Sequence, residues 1–425
     1  MIPVTGARFQ WKKSEERYFS SIGRCTPLAN LSNLSIYFHI PFCVKRCRYC
    51  DFYSVPGEGK DTFDKTLNAL IQSFDKSLTL LKPQSFPTVF IGGGTPSLIP
   101  IDLLDRFLSR VNSRIKDTVE FTIEANPESL SREFLKVISS HGVNRISMGV
   151  QSYDNILLSW LGRPAGRDAL ERADNLLAKH WNGRLSRDLL AGLPGTSGNR
   201  RIINDIKQAL RDNPGHLSLY ELTVEDGTDL AGNMEDLKSL PDESVFVREW
   251  HSAVDYLEKQ GYQRYEISNF ARKGEESLHN LNYWRMQPYL GVGPGAASTF
   301  SIPSDNRVIR RQEPRDLSTW LSNPENSFSE EILTSGELAL EHFMMGLRTS
   351  EGISIRRFKT IFGISPVEAA EKAIKRWTVS GMLSYDSKSL RPTAKGMELL
   401  DSVLADIAAE AAEVNWSRFC RWPQT

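Results

Sequence analysis

The stretch YFHIPFCVKRCRYCDF, residues 37–52, sets Cys43, Cys47 and Cys50 in a Cys-x3-Cys-x2-Cys spacing directly behind a β-branched and aromatic segment that reads as a strand. Cysteine thiolates hold iron–sulfur clusters, and a 4Fe-4S cluster normally takes four of them. Three ligands in one short loop leave one iron without a protein ligand, much as a catalytic zinc site keeps one position open for the reacting molecule. Zinc itself is the competing reading. It needs a fourth ligand, and the nearby candidate, His39, falls inside the strand and not in the loop.

Outward from this loop, residues 35–223 alternate short apolar runs with amphipathic stretches. The pattern predicts strands over 35–40, 88–91, 119–124, 145–150, 185–190 and 216–222, with helices over 61–81, 101–116, 131–141, 167–179 and 199–212 between them. Such alternation implies right-handed crossovers and a parallel sheet. The expected fold class is α/β, a partial (β/α)6 barrel of the TIM type, short of the eight units of a closed one.

Parallel β/α folds place their chemistry at the C-terminal ends of the strands. Here the first strand runs into the cysteine loop and the second into Gly92-Gly93-Gly94-Thr95; the others end at Glu124, Gln151, Asp188 and, last, near Glu221 and Thr223. Polar ends in register predict one site around the cysteine loop. Each residue also has a plainer role. The glycines specify a tight turn, although beside an open iron they offer a ledge where a ligand's amino group meets backbone carbonyls. Glu124 suits hydrogen bonds to ribose hydroxyls or an amino group, against a helix-capping role that Glu128 fits more naturally. Arg163 and Asp188 could simply pair with each other.

Farther on, a helix over 243–260 and a strand over 262–267 precede HNLNYWRMQPYLGVGPGAAS, residues 279–298. His279 is a candidate haem-iron ligand, with Tyr283 and Trp284 as flat faces for a porphyrin; the alternative is a hydrogen-bonded core histidine among aromatics. The polar segment 301–329, with Pro303, Pro314 and Pro324, reads as a linker. A helix over 330–347 then leads to a helix-rich unit with a hairpin at 382–385 and 389–392 and a last helix over 393–413, a winged-helix-like pattern. The expected organisation is an N-terminal segment 1–34, a barrel region 35–300, a linker 301–329 and a C-terminal domain 330–425. No basic cluster marks its candidate recognition helix, so protein interaction or a lid role is expected, not nucleic-acid binding.

Composition fits an ordinary folded protein: 425 residues, 40% hydrophobic, 24% charged and zero formal net charge. No global field recruits nucleic acid or an anionic membrane, no apolar stretch approaches a membrane span, and the first residues lack a signal-peptide core. A cytoplasmic location with at most peripheral membrane contact is expected. Isolated Cys25 and Cys420 make no disulfide framework, and a reducing compartment suits thiolate ligands.

Taken together, YFHIPFCVKRCRYCDF, VFIGGGTPSLI, FTIEANPE, NRISMGVQSYDNILLSWLGR, DLLAGLPG, HLSLYELTVEDGT, YEISNFAR and HNLNYW resemble the oxygen-independent coproporphyrinogen III oxidase family of radical S-adenosylmethionine (SAM) proteins over residues 35–298. The resemblance implies that Cys43, Cys47 and Cys50 hold a 4Fe-4S cluster whose open iron docks SAM, and that Tyr37, Gly93 and Glu124 contact that SAM. Tyr49, Gly94, Thr95, Gln151, Arg163, Asp188 and Thr223 stand where the oxidases hold a second SAM, although Tyr49 replaces a usual phenylalanine and Thr223 a usual alanine. Three departures favour the family's haem-chaperone branch. Phe52 stands where the oxidases carry a fourth cysteine, only 36 residues precede Tyr37, and HNLNYW is similar to that branch's haem-binding motif. The motif implies His279 as axial ligand, with Tyr283 and Trp284 beside it. The implied function is to bind haem as cargo and pass it to acceptors such as respiratory haemoproteins, with a homodimer possible. The rival activity is oxidative decarboxylation of coproporphyrinogen III to protoporphyrinogen IX, in which a 5′-deoxyadenosyl radical takes a propionate β-hydrogen and Glu124 is the candidate catalytic residue.

Overall fold

A computed structural model describes residues 32–416 apart from 58, 116, 196–200 and 303–306. Most of the N-terminal segment, with Cys25, and the C-terminal end, with Cys420, lie outside the described residues.

Six strands, β1 (Ser35–Ile40), β2 (Thr88–Gly93), β3 (Glu120–Ala125), β4 (Arg145–Gln151), β5 (Arg184–Ala191) and β6 (His216–Glu221), lie parallel and in sequence order in one sheet. Between them run α1 (Lys60–Leu81), α2 (Ile101–Asn112), α3 (Arg132–Ser140), α4 (Arg167–His180) and α5 (Arg201–Ala209). This is the expected partial barrel. Alternation along each strand divides the side chains. Phe38 points outward to Phe74 of α1 and Phe107 of α2, with ring centroids 5.1 and 5.4 Å away. The opposite parity, including Tyr37, Phe90, Ser147, Asp188 and Ser218, lines the lumen. Ser131 caps α3 by accepting the Phe134 N–H at 3.0 Å, so the capping role open to Glu128 belongs to a serine.

The sheet continues past both barrel edges. Beyond β6, β7 (Asn269–Ala271) pairs antiparallel and forms a hairpin with Gln263–Arg264, so of the strand expected over 262–267 only these two residues form one. The helix α6 (Glu243–Lys259) precedes it, and α7 (Leu278–Trp284) carries the HNLNYW run. On the other side, β8 (Tyr289–Val292) lies parallel to β1 as a seventh parallel strand, followed by antiparallel β9 (Ala297–Ile302), β10 (Arg307–Gln312) and β11 (Ser329–Leu333). The segment expected as a linker therefore holds the end of β9, all of β10, a helix over Leu317–Ser322 and the first residue of β11. Its charges are paired across the strands: Arg310 lies opposite Glu331 and Arg311 opposite Glu330, and the Arg311 guanidinium sits 3.6 Å from the centre of the Phe328 ring. Opposite charges facing one another support a ladder that composition alone disguises.

The chain then builds α8 (Ser335–Gly346), opened by a capping box of Thr334 and Glu337. There follow β12 (Ile353–Ser354), α9 (Ile355–Phe362), α10 (Glu371–Val379), β13 (Leu383–Tyr385), β14 (Ser389–Pro392) and α11 (Leu400–Ala411). Strand order β12-β14-β13 gives the expected winged-helix-like unit, while the helix expected over 393–413 is divided into Ala394–Glu398 and α11. This unit closes on the barrel through α7. Arg285 pairs with Glu351 at 2.7 Å, and Arg357 donates to the carbonyls of Arg285 and Met286. Among the described residues, no helix is long and apolar enough to cross a membrane.

Candidate functional site

The cysteine loop is clamped by the glycine run. The N–H of Gly94 donates to Ile40 O and that of Thr95 to Phe42 O, each at 2.7 Å. A Cβ on Gly94 would sit 2.4 Å from Phe42 O, so only glycine lets the two backbones approach this closely. Gly93, at φ 112°, turns its N–H onto Glu124 Oε2 at 3.0 Å. Thr95 Oγ1 lies 3.7 Å from Cys43 Sγ and Arg163 Nη1 3.8 Å from Cys47 Sγ.

Cys43, Cys47 and Cys50 are all free and half-buried. Burial pushes the Cys43 thiol up and that of Cys50 up to about 11, so a metal must displace protons to bind them. Among the described residues, no three His, Cys, Asp or Glu side chains are grouped to hold a single metal ion. His39 is moreover spoken for: Nδ1 bonds the Tyr37 hydroxyl and Nε2 the Tyr53 carbonyl, both at 2.9 Å. The zinc reading thereby loses its fourth ligand, and the chemistry of the loop fits an iron–sulfur cluster.

The strand-end residues converge on one cavity of about 1350 Å³, which also takes in Tyr37, Tyr49, Gly93, Gly94, Thr95 and Thr223. Glu124 reaches it beside Gly93, and burial pushes this carboxyl up to about 7. Asp188 accepts from Ser147 and Ser186 at 2.8 and 3.2 Å, while Arg163 donates to Gly149 O at 2.8 Å and faces Glu128 at 3.9 Å. The Arg163–Asp188 pair considered from sequence is therefore not formed. Gln151 sits at φ 68°, at a break in the β4–β5 register. A non-glycine residue in this region is uncommon, and such strain gathers at ligand-binding positions.

The same cavity continues down the lumen to α7. His279 is 1% exposed, stacked 5.1 Å from Phe90, and bonded through both ring nitrogens: Nδ1 to Thr88 Oγ1 at 2.7 Å and Nε2 to the Tyr283 hydroxyl at 2.9 Å. Thr88 spends its one proton on Ser35 Oγ, so His279 Nδ1 carries the hydrogen and Nε2 the lone pair. That is the tautomer an iron ligand needs, with its lone pair capped by Tyr283. Sequence suggested haem ligand and hydrogen-bonded core histidine as alternatives; the geometry is that of the second. Trp284 lines the cavity, and its buried indole N–H has no partner.

Sequence reasoning missed the lumen floor. Glu120, fully buried, accepts the N–H groups of Leu278 and His279 at 3.1 and 2.9 Å and faces Arg184 at 3.3 Å and Arg145 at 4.0 Å. His216 bonds Ser186 and the Tyr265 hydroxyl. These residues begin their strands, and the period-two parity that selects Glu124 and Asp188 also selects them.

Comparison with known proteins places this geometry. The Radical SAM superfamily profile matches residues 37–205 and that of the HemN C-terminal domain residues 333–399. The chain is 33% identical to Heme chaperone HemW of Lactococcus lactis, over 87% of this chain and 96% of that one, and 32% identical to Heme chaperone HemW of Bacillus subtilis, over 88% and 99%. In fold it is similar to the coproporphyrinogen III oxidase HemN of Escherichia coli, at a TM-score of 0.74 and 20% identity over 89% of this chain and 90% of that one. A three-cysteine loop on a partial barrel, a C-terminal unit closing on the HNLNYW helix, and identity along nearly the whole of both chaperone chains lead to one conclusion: the chain belongs to the HemW branch of the HemN-type radical SAM family.

Proposed function

We propose that this protein is a haem chaperone: it binds haem as cargo at the α7 end of the cavity, holds a 4Fe-4S cluster and SAM at the cysteine end, and passes haem to acceptor haemoproteins in a reducing, cytoplasm-like compartment. The observation that carries this reading is the single continuous cavity, with the cysteine loop at one end and His279, Tyr283 and Trp284 at the other. Its volume exceeds the roughly 300–1,000 Å³ of an ordinary small-molecule pocket, in keeping with two ligands. The relatives named heme chaperones support it.

Cys43, Cys47 and Cys50 would hold the cluster, which when bound supplies an electron and an open iron position. Tyr37, Gly93 and Glu124 would hold SAM there; Tyr49, Gly94, Thr95, Gln151, Arg163, Asp188 and Thr223 are the residues for a second. Hemin titrated into the purified chain is expected to give a saturable Soret band. Phe52, lining the cavity where an oxidase would place a cysteine, separates this reading from oxidative decarboxylation. The anaerobic, reconstituted protein with SAM, reductant and coproporphyrinogen III is accordingly expected to yield no protoporphyrinogen IX, and its appearance would overturn the preference.

Two results follow at the two ends. Because Tyr283 caps the lone pair of His279, Tyr283→Phe removes a competitor and is expected to tighten hemin binding severalfold, whereas His279→Ala weakens it; equal affinity in Tyr283→Phe and wild type would mean that Nε2 is not a ligand. At the other end, Glu124 loses its charge below about pH 7. If the carboxylate holds the SAM ammonium or ribose, affinity rises with pH to about 7 and then levels off, changing by at most about tenfold per pH unit below that. Anaerobic calorimetry of wild type and Glu124→Gln checks this, the variant being expected to flatten the profile.

A further inference from the structure

His342 projects from α8 and lines the same cavity as His279, yet its situation is the reverse. Its Nδ1 bonds Leu338 O at 2.8 Å. A carbonyl only accepts, so the ring hydrogen is on Nδ1 and Nε2 carries a bare lone pair. That Nε2 is buried and has no hydrogen-bond partner. The ring is held edge-on against Phe362, centroids 5.0 Å apart, and against Phe358 at 6.2 Å.

Leaving a buried acceptor unsatisfied destabilises the fold, and a leucine at this place would pack against the two phenylalanines without that cost. Orphaned polar groups in a native fold call for an explanation, such as a catalytic role or an ion. An imidazole whose Nδ1–H is anchored to a backbone carbonyl while Nε2 stays bare is the orientation that metal-ligating histidines use. Burial also pulls the ring's pKa down to about 4, which keeps it neutral across the physiological range. A second orphan lines the same cavity from α7: Trp284 Nε1–H, a donor without an acceptor, in a cluster against which Met345 of α8 packs. One ligand bearing both an electron-poor metal and carboxylates would satisfy the lone pair and the N–H together.

We infer that His342 of the C-terminal domain is an iron ligand for haem, so that the cargo is held between α7 of the barrel and α8 of the C-terminal unit. This rests on the haem-chaperone reading above. The C-terminal domain thereby acquires a defined role in holding the cargo. Because Arg285–Glu351 and the Arg357 contacts hold α7 against this unit, separating the two would withdraw one ligand and loosen the haem.

The inference is tested by hemin titration of the full chain, followed by Soret absorbance and by electron paramagnetic resonance of the ferric complex. His342→Ala is expected to raise the hemin Kd at least about tenfold, with added imidazole restoring the spectrum. His342→Cys, which keeps a side chain in the pocket and is the arm that decides if the alanine variant unfolds, should convert the spectrum to the thiolate-ligated type. If both variants bind hemin with the wild-type spectrum and affinity while His279→Ala does not, the inference fails and the haem reading stands. If wild type itself binds no hemin, the haem reading fails and takes the ligand with it.

Discussion

Alanine at Cys43, Cys47 or Cys50 is expected to abolish the iron–sulfur chromophore outright, leaving iron and sulfide near background after anaerobic reconstitution. The reason is the ligand count. One short loop supplies three thiolates and no other described cysteine stands near, so each replacement removes a third of the protein's hold on the cluster. The fold is expected to survive. The loop's shape depends on backbone bonds from Gly94 and Thr95 and on the Phe42–Cys43 pairing with Val55–Pro56, none of which uses a thiol. Far-ultraviolet dichroism should therefore be unchanged while the visible spectrum is lost. Since burial holds Cys43 and Cys50 protonated in the free protein, assembly in the wild type should release protons and proceed better at higher pH. A cysteine variant that kept a full cluster would show that the fold, or an outside ligand, replaces that thiolate.

What could be read in advance divides along physical lines. The cysteine loop and the six barrel strands were legible because their signals are local: a fixed spacing, apolar runs, and polar residues where those runs stop. The convergence of Glu124, Gln151 and Asp188 followed from strand parity and from the rule that parallel barrels work at one rim. Segment 301–329 was illegible for the opposite reason. The burial of Arg311 depends on Glu330 and on Phe300 and Phe328, which neighbour it only across strands. His342 is harder still. It is an ordinary helix residue until α8 packs beside α7, and only then does it line one cavity with His279.

Glu120→Ala is expected to be the most damaging change in the barrel, costing about 3–5 kcal/mol in urea or thermal unfolding. Two losses combine. Arg184, 3.3 Å away, and Arg145, 4.0 Å away and 2% exposed, lose the carboxylate that faces them both, although Arg145 keeps its bond to Glu275 O at 3.1 Å. The first N–H groups of α7, those of Leu278 and His279, lose the acceptor that ties the helix to the lumen floor. A buried pair is weak evidence of net stability compared with an apolar replacement of both partners, but removing one member leaves the other charge uncompensated. Glu120→Gln separates the two losses: its amide oxygen can accept one helix N–H but gives no charge to Arg145, so it should fall between wild type and alanine. Joining Glu120→Ala to Arg145→Met should recover part of the cost, because the stranded charge goes with it. The consequence for function lies in α7, which carries His279, Tyr283 and Trp284. Once its start is released, the hydrogen bond to Thr88 no longer fixes the imidazole, and hemin affinity should fall even at temperatures where the barrel remains folded. Stability lost with hemin binding intact would instead mean that α7 is held by its contacts with α8 and not by the carboxylate beneath it.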